Sequence, residues 1–191
     1  MKRSLGARPL VFVTPTWIIG SYDQQGKPNM AAVAWGGICC SQPPCVAISL
    51  RKQTYSHQSI MTKKAFTVNV PSQRYVKEAD YCGMFSGKTM DKFTKTGLTA
   101  VASDKVDAPY VEEFPLILEC KVSHVVEIGL HTQFIGEIVD VKAEENVFNA
   151  KGVVDVELIK PVLFDPEART YHGIGSFLGE GFSVGKTIDK P

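Results

Sequence analysis

Between Leu116 and Val141 the chain carries two long β-prone runs, LILECKVSHVVEI and HTQFIGEIVDV, separated by Gly129 and Leu130. Runs rich in β-branched and aromatic residues, joined by so short a connection, form an antiparallel hairpin. Its outer edges expose unpaired backbone donors and acceptors, so the rest of the chain has to supply further strands or close the sheet.

Those strands can be read elsewhere. Leu10 to Tyr22 is β-branched and aromatic, SYDQQGKPN offers a turn, and Met30 to Cys40 is apolar and small, so these segments read as an opening antiparallel pair. Pro43-Pro44 interrupts the sheet pattern before a strand at Cys45–Leu50. Thr54 is placed to cap a short helix, Tyr55 to Lys63, with Ile60 and Met61 inward, and Phe66–Val70 is the next strand. Arg74 to Phe85 has helical spacing through Tyr75, Ala79 and Cys82. A turn of helix is expected around Asp91-Lys92-Phe93, and short β-prone pieces at Leu98–Ala102 and Val162–Phe164. Six or more strands outnumber two or three short helices and do not alternate with them. The expected fold is therefore mainly β: a small antiparallel barrel with short flanking helices, not a doubly wound parallel sheet.

Composition narrows the function classes. Lys and Arg number 21 against 20 Asp and Glu, a formal net charge of +1, so no basic surface argues for a nucleic-acid partner. The 191 residues suit one domain spanning 1–191. Five cysteines, two of them adjacent, give neither a disulfide framework nor paired zinc knuckles; most read as small buried hydrophobes, with Cys39, Cys40 and Cys45 open to a redox role. Pro9 and Pro15 break the N-terminal apolar run, which reads as a strand and not as a signal peptide. No window approaches a membrane span, and a soluble cytoplasmic protein without a membrane partner is expected.

Three stretches could carry chemistry. In Ser49-Leu50-Arg51-Lys52-Gln53-Thr54, strand alternation puts Ser49 and Arg51 on one side, and a helix start follows with unpaired N–H groups. A hydroxyl, a guanidinium and helix-start amides can cradle a phosphate; equally, the stretch can be a solvated strand end. The run Asn29-Met30-Ala31-Ala32-Val33-Ala34-Trp35 would let a flat ligand lie close to the backbone, or simply pack tightly in a hairpin or subunit contact. His131 opens a strand, where an imidazole can hydrogen-bond or exchange a proton near neutral pH, or sit as a surface residue. HExxH and a nucleophile–histidine–acid pattern are absent, and Gly173, Gly175 and Gly179 lack the strand–turn–helix setting of a dinucleotide fingerprint.

Taken in order, NMAAVAW, SQPP before CVAISLRKQT, FTVNV, SGK with DKF and Gly97-Leu98, Glu119-Cys120 and HTQFIGE make the chain resemble the flavin reductase-like family, in its flavoredoxin-like branch. The resemblance implies a six-stranded antiparallel Greek-key split barrel, a homodimer, and FMN as cofactor. It implies phosphate contacts from the Ser49, Leu50, Arg51 and Thr54 region, with the backbone of Ala32, Val33, Ala34 and Trp35 beside the isoalloxazine. It adds Asn29 and Asn69 to the cofactor site, and brings Ser86, Gly87 and Lys88 toward a flavin from across the dimer. His131 falls on the family histidine that positions flavin or nicotinamide. Ala32 and Ala34 stand where proline and serine are frequent, and Leu130 where an aspartate is. The implied activity is hydride transfer from NAD(P)H to flavin N5, with electrons passing on to flavin, iron, oxygen or a protein. The alternative is an FMN electron carrier reduced by a redox protein partner.

Overall fold

A computed structural model describes residues 1–188 of the chain. In chain order the elements are β1 (Thr14–Pro15), β2 (Trp17–Tyr22), β3 (Pro28–Val33), β4 (Gly36–Ser41), β5 (Pro44–Arg51), α1 (Tyr55–Lys63), β6 (Ala65–Val70), α2 (Val76–Met84) and α3 (Lys92–Thr96). There follow β7 (Ala100–Ala102), β8 (Pro109–Val111), β9 (Leu116–Ile128), β10 (His131–Ala143), α4 (Val156–Ile159), β11 (Leu163–Asp165) and β12 (Thr170–His172).

The long hairpin is the spine of the sheet. β9 and β10 pair antiparallel from His131 opposite Ile128 to Ala143 opposite Leu116, and Gly129 adopts the positive φ of 50° that the turn demands. Around this hairpin a seven-stranded sheet runs β3-β2-β6-β9-β10-β5-β4. Its two edge strands, β3 and β4, are consecutive in sequence, joined only through Ala34 and Trp35. So short a link forces the sheet to curl until its edges meet, and the Ser49 N–H donates to Trp35 O across 2.8 Å at that seam. Curling, in place of an open sheet, is the split-barrel solution to the edge problem.

Two apolar clusters hold the barrel. Ile19, Val46, Ile48, Phe66 and Phe134 fill its interior. Ile18, one residue out of phase with Ile19, joins Met30, Ala79, Cys82, Phe93 and Phe114 on the outer face, beneath α2 and α3. β2 is therefore buried on both faces, which accounts for the apolar run Trp17-Ile18-Ile19-Gly20 at its start.

Two expectations are revised, and one short strand was not foreseen. Leu10 to Val13 forms no strand; the chain enters the sheets at Thr14, and β1 pairs with β11 in a separate three-stranded sheet. Pro15 has no N–H to offer a second neighbour, which suits this peripheral role. Met30 to Cys40 is two strands, divided at Ala34-Trp35 where the chain crosses between edges, and this division makes the seventh strand. The short β8, opening with proline, carried no strand signal of its own.

Candidate functional site

The first turn of α1 is the natural starting point. Thr54 takes an extended N-cap conformation, but its hydroxyl donates back to Arg51 O at 2.9 Å, and no side chain caps the helix. The first turn contains no acidic residue. The N–H groups at this end thus form a positive, uncapped helix terminus, the arrangement that receives a phosphate.

Three contacts fix what surrounds it. Asn29 Nδ2 donates to Ser56 Oγ at 2.8 Å, tying β3 to α1. Tyr55 Oη donates to Asp23 Oδ2 at 2.7 Å, while Asp23 Oδ1 accepts from the Gln25 and Lys27 amides; this bond, with burial and the aspartate charge, raises the phenol's pKa. Lys92, only 4% exposed, donates from Nζ to Met30 O at 2.6 Å and Cys82 O at 2.8 Å. Burial lowers its pKa, yet the two carbonyls support the ammonium form. Asp91 caps α3 by accepting from Thr94 N and so sets the direction from which Lys92 enters.

Asn29, Tyr55, Ser56 and Lys92 line a cleft of about 270 Å³ with Ala32, Leu50, Thr54 and the 83–87 segment. A second cleft, about 470 Å³, is walled by Ala32, Val33, Ala34, Trp35, Thr16, Phe164 and Tyr171, whose hydroxyl donates to Asp80 Oδ1 at 2.8 Å. The clefts share Ala32, Gly83 and Met84, so they adjoin along that wall as the two parts of a groove. In the second, the buried Thr16 hydroxyl has no partner. An anion cradle at one end, small-residue walls between, and an orphaned hydroxyl toward the other fit an elongated phosphate ester with a flat polar ring, which is the chemistry of FMN.

The structure gathers Asn29, Ala32, Leu50, Thr54, Ser86 and Gly87 in the first cleft, and Ala32, Val33, Ala34 and Trp35 in the second. Lys88 lines an adjoining cleft with Lys52, Gln53 and Thr54. Ser49 is half-buried and Arg51 exposed; neither lines the groove. Asn69 is removed from the cofactor surface: it is fully buried, donates to Ile18 O and Thr67 Oγ1, and accepts from Val111 N, so its amide stitches β2, β6 and β8 together. In the Ser86–Lys88 turn, Gly87 lies against Asn29 and Tyr55 of its own chain. His131 stands opposite Arg51 in the β5–β10 register, outside both clefts.

Sequence reasoning anticipated the helix-start amides but missed Thr16, Ser56, Lys92 and the side chain of Tyr55 as site residues. Only Lys92 left a signal, a lysine directly after a capping aspartate at a helix start; the others depend on tertiary approach. Among the described residues no cluster of three or more His, Cys, Asp or Glu could hold a metal ion, and no helix is long and apolar enough to cross a membrane.

The flavin reductase like domain family matches residues 9–172. Flavoredoxin of Desulfovibrio vulgaris (Miyazaki F) is similar with a TM-score of 0.92 and 51% identity, over 97% of this chain and 100% of that one. Flavoredoxin from Methanosarcina acetivorans gives a TM-score of 0.90 at 27% identity, over 98% and 100% of the two chains. An uncharacterised protein of Archaeoglobus fulgidus is 35% identical over 144 residues, 75% of this chain and 81% of that one. With the curled antiparallel sheet and the groove at α1, these likenesses establish that the chain belongs to the flavin reductase-like family and has its FMN-binding split-barrel fold.

Proposed function

We propose that the protein is an FMN electron-transfer protein of the flavoredoxin type, exchanging electrons with a redox protein in preference to NAD(P)H. The observation that carries this reading is its end-to-end likeness, at 51% identity, to a flavoredoxin. The groove supports it: the helix-start amides at Tyr55 and Ser56 receive the phosphate, and Lys92 brings a buried positive charge to the same cleft. The backbone of Ala32 to Trp35 and the Thr16 hydroxyl offer hydrogen bonds along the ring's polar edge. Gly83 and Ala32 keep the wall thin where the clefts join. Bound flavin supplies the electron chemistry, so none of these side chains has to act as a nucleophile.

The protein works as a homodimer on this reading. Ile128 and Leu130 at the end of the long hairpin, and Ile38 on the edge strand β4, are apolar and exposed in the single chain, and His131 and Arg51 lie beside the hairpin end. A second copy covering this surface would bring His131 to a boundary where it can position an incoming donor.

Anaerobic reduction of the FMN-loaded protein tests the function. Bleaching of the flavin absorbance within seconds by a reduced iron–sulfur protein, with slow or no bleaching by NADH and NADPH, is the expected result. Rapid bleaching by either nicotinamide would instead make it an NAD(P)H-dependent flavin reductase.

A further inference from the structure

The β4–β5 hairpin carries three of the five cysteines, away from the groove. Cys40 on β4 stands directly opposite Cys45 on β5, and a register shift between Ile38 and Cys40 makes Cys39 an extra, bulged residue. Directly opposed residues of an antiparallel pair have Cα atoms roughly 4.5 to 5.5 Å apart, inside the ~4.4 to 6.8 Å span of a disulfide. Cys40 is exposed, whereas Cys45 is buried. Burial raises the Cys45 thiol too, while Cys82 and Cys120 sit in separate core clusters, where it pushes the Cys82 thiol up to about 11 and the Cys120 thiol higher still. The latter two remain inert thiols.

We propose that Cys40 and Cys45 are a reversible dithiol–disulfide site that reacts with small-molecule disulfides such as oxidised glutathione. The exposed Cys40, as thiolate, attacks one sulfur of the small disulfide; a Cys40–sulfur bond forms and the first small thiolate leaves. Cys45 then gives up its proton and attacks the Cys40 sulfur, closing the cross-strand bond and releasing the second thiolate. The small disulfide gains two electrons and, after protonation, becomes two thiols, while the protein loses two electrons as its disulfide forms. Because the strand register already opposes the two residues, closure needs no slip of the sheet. The site stands independently of the electron-transfer reading.

Intact-mass analysis tests it on the full chain. The protein and its Cys39→Ser, Cys40→Ser and Cys45→Ser variants are incubated with oxidised glutathione, acid-quenched, and alkylated after denaturation. The wild type and Cys39→Ser are expected to lose one pair of alkylatable thiols without retaining glutathione, and fragmentation should place the link between Cys40 and Cys45. Cys40→Ser should lose no pair, and Cys45→Ser should hold a mixed disulfide with glutathione at Cys40. Full alkylation of Cys39→Ser, or loss of the pair in Cys40→Ser or Cys45→Ser, overturns the assignment.

Discussion

Asn29 donates its side-chain amide to the hydroxyl of Ser56 at 2.8 Å, so one buried hydrogen bond fixes β3 against the first turn of α1. The other end of the same amide faces Gly87: a Cβ there would lie 2.0 Å from Asn29 Oδ1 and 2.9 Å from the Tyr55 ring. The glycine is required by this approach. Gly87→Ala should push the turn away and open the phosphate end of the groove, weakening FMN about tenfold or more, or ~1.4 kcal/mol. Calorimetric titration checks this, and unchanged affinity would mean that the turn can move without disturbing the site.

The uncapped helix start makes a second expectation sharper. FMN should bind about tenfold to a hundredfold more tightly than riboflavin, the ~1.5 to 3 kcal/mol scale of charge-assisted hydrogen bonds. FAD should also bind more weakly than FMN, because no second nucleotide-binding fingerprint accompanies the groove. Arg51 is exposed and off the groove wall, so Arg51→Ala should change FMN affinity by no more than about fivefold, as for other exposed charges. A larger loss confined to FMN would return Arg51 to the phosphate site.

Dimerisation follows from the apolar end of the long hairpin. Sedimentation at micromolar concentration should give about twice the 20.9 kDa chain mass. Leu130, 64% exposed in the single chain, is the most accessible apolar residue at that end, and Leu130→Asp should shift the equilibrium toward monomer. A wild-type monomer that retains stoichiometric FMN would refute a site that depends on two subunits.

How far the sequence reveals all this varies with the range of the interaction. The β9–β10 hairpin and α1 are legible because their signals are local: alternation broken by one glycine, and a threonine before helical spacing. The seam at Ala34-Trp35 is not, because a break inside an apolar run becomes visible only when the two halves pair with different neighbours. Asn69 illustrates the opposite error. The family resemblance assigns it to the cofactor, yet its hydrogen bonds run to Thr67, two residues back on the same strand, and to Ile18 and Val111, which sequence spacing does not bring near. Lys92 was readable as helix chemistry but not as a buried cation, since its burial comes from β3 and α2.

His57 gives a pH test of the wall behind the site. It is 8% exposed, its Nε2 lies 2.8 Å from Thr132 Oγ1, and its ring meets the edge of Phe134 at 5.4 Å. Thr132 donates its only hydroxyl proton to Glu127, so Nε2 carries the proton and donates to Thr132. Burial lowers the pKa of His57 below its ordinary 6.5, outweighing the Glu127 charge. Below that ordinary value the unfolded chain binds the proton more readily than the folded one. Stability should therefore fall as the pH drops from about 6.5 toward the folded value, by up to ~1.4 kcal/mol per pH unit for one proton. Urea midpoints of the wild type and His57→Gln between pH 7 and 5 check this; an equal slope in both proteins would assign the dependence to another group.

Lys92 ties the fold to the redox reading most directly. Its ammonium holds Met30 O on β3 and Cys82 O on α2, and Lys92 lines the cleft of the phosphate, which adjoins that of the ring. Lys92→Met keeps most of the side-chain volume while removing the charge and leaving both carbonyls without this donor. A destabilisation of about 1 to 3 kcal/mol is expected from the carbonyl that cannot recruit water. The charge has a separate consequence: a fixed cation favours the more negative, reduced form of a bound flavin, so its loss should make the midpoint potential more negative. For a two-electron couple ~1.4 kcal/mol of lost stabilisation corresponds to about 30 mV. Potentiometric titration of the FMN-loaded variant reads this shift independently of its melting temperature. A destabilised Lys92→Met with an unchanged potential would make Lys92 a tie between β3 and α2 and nothing more, whereas a negative shift would identify it as the group through which this chain tunes its flavin.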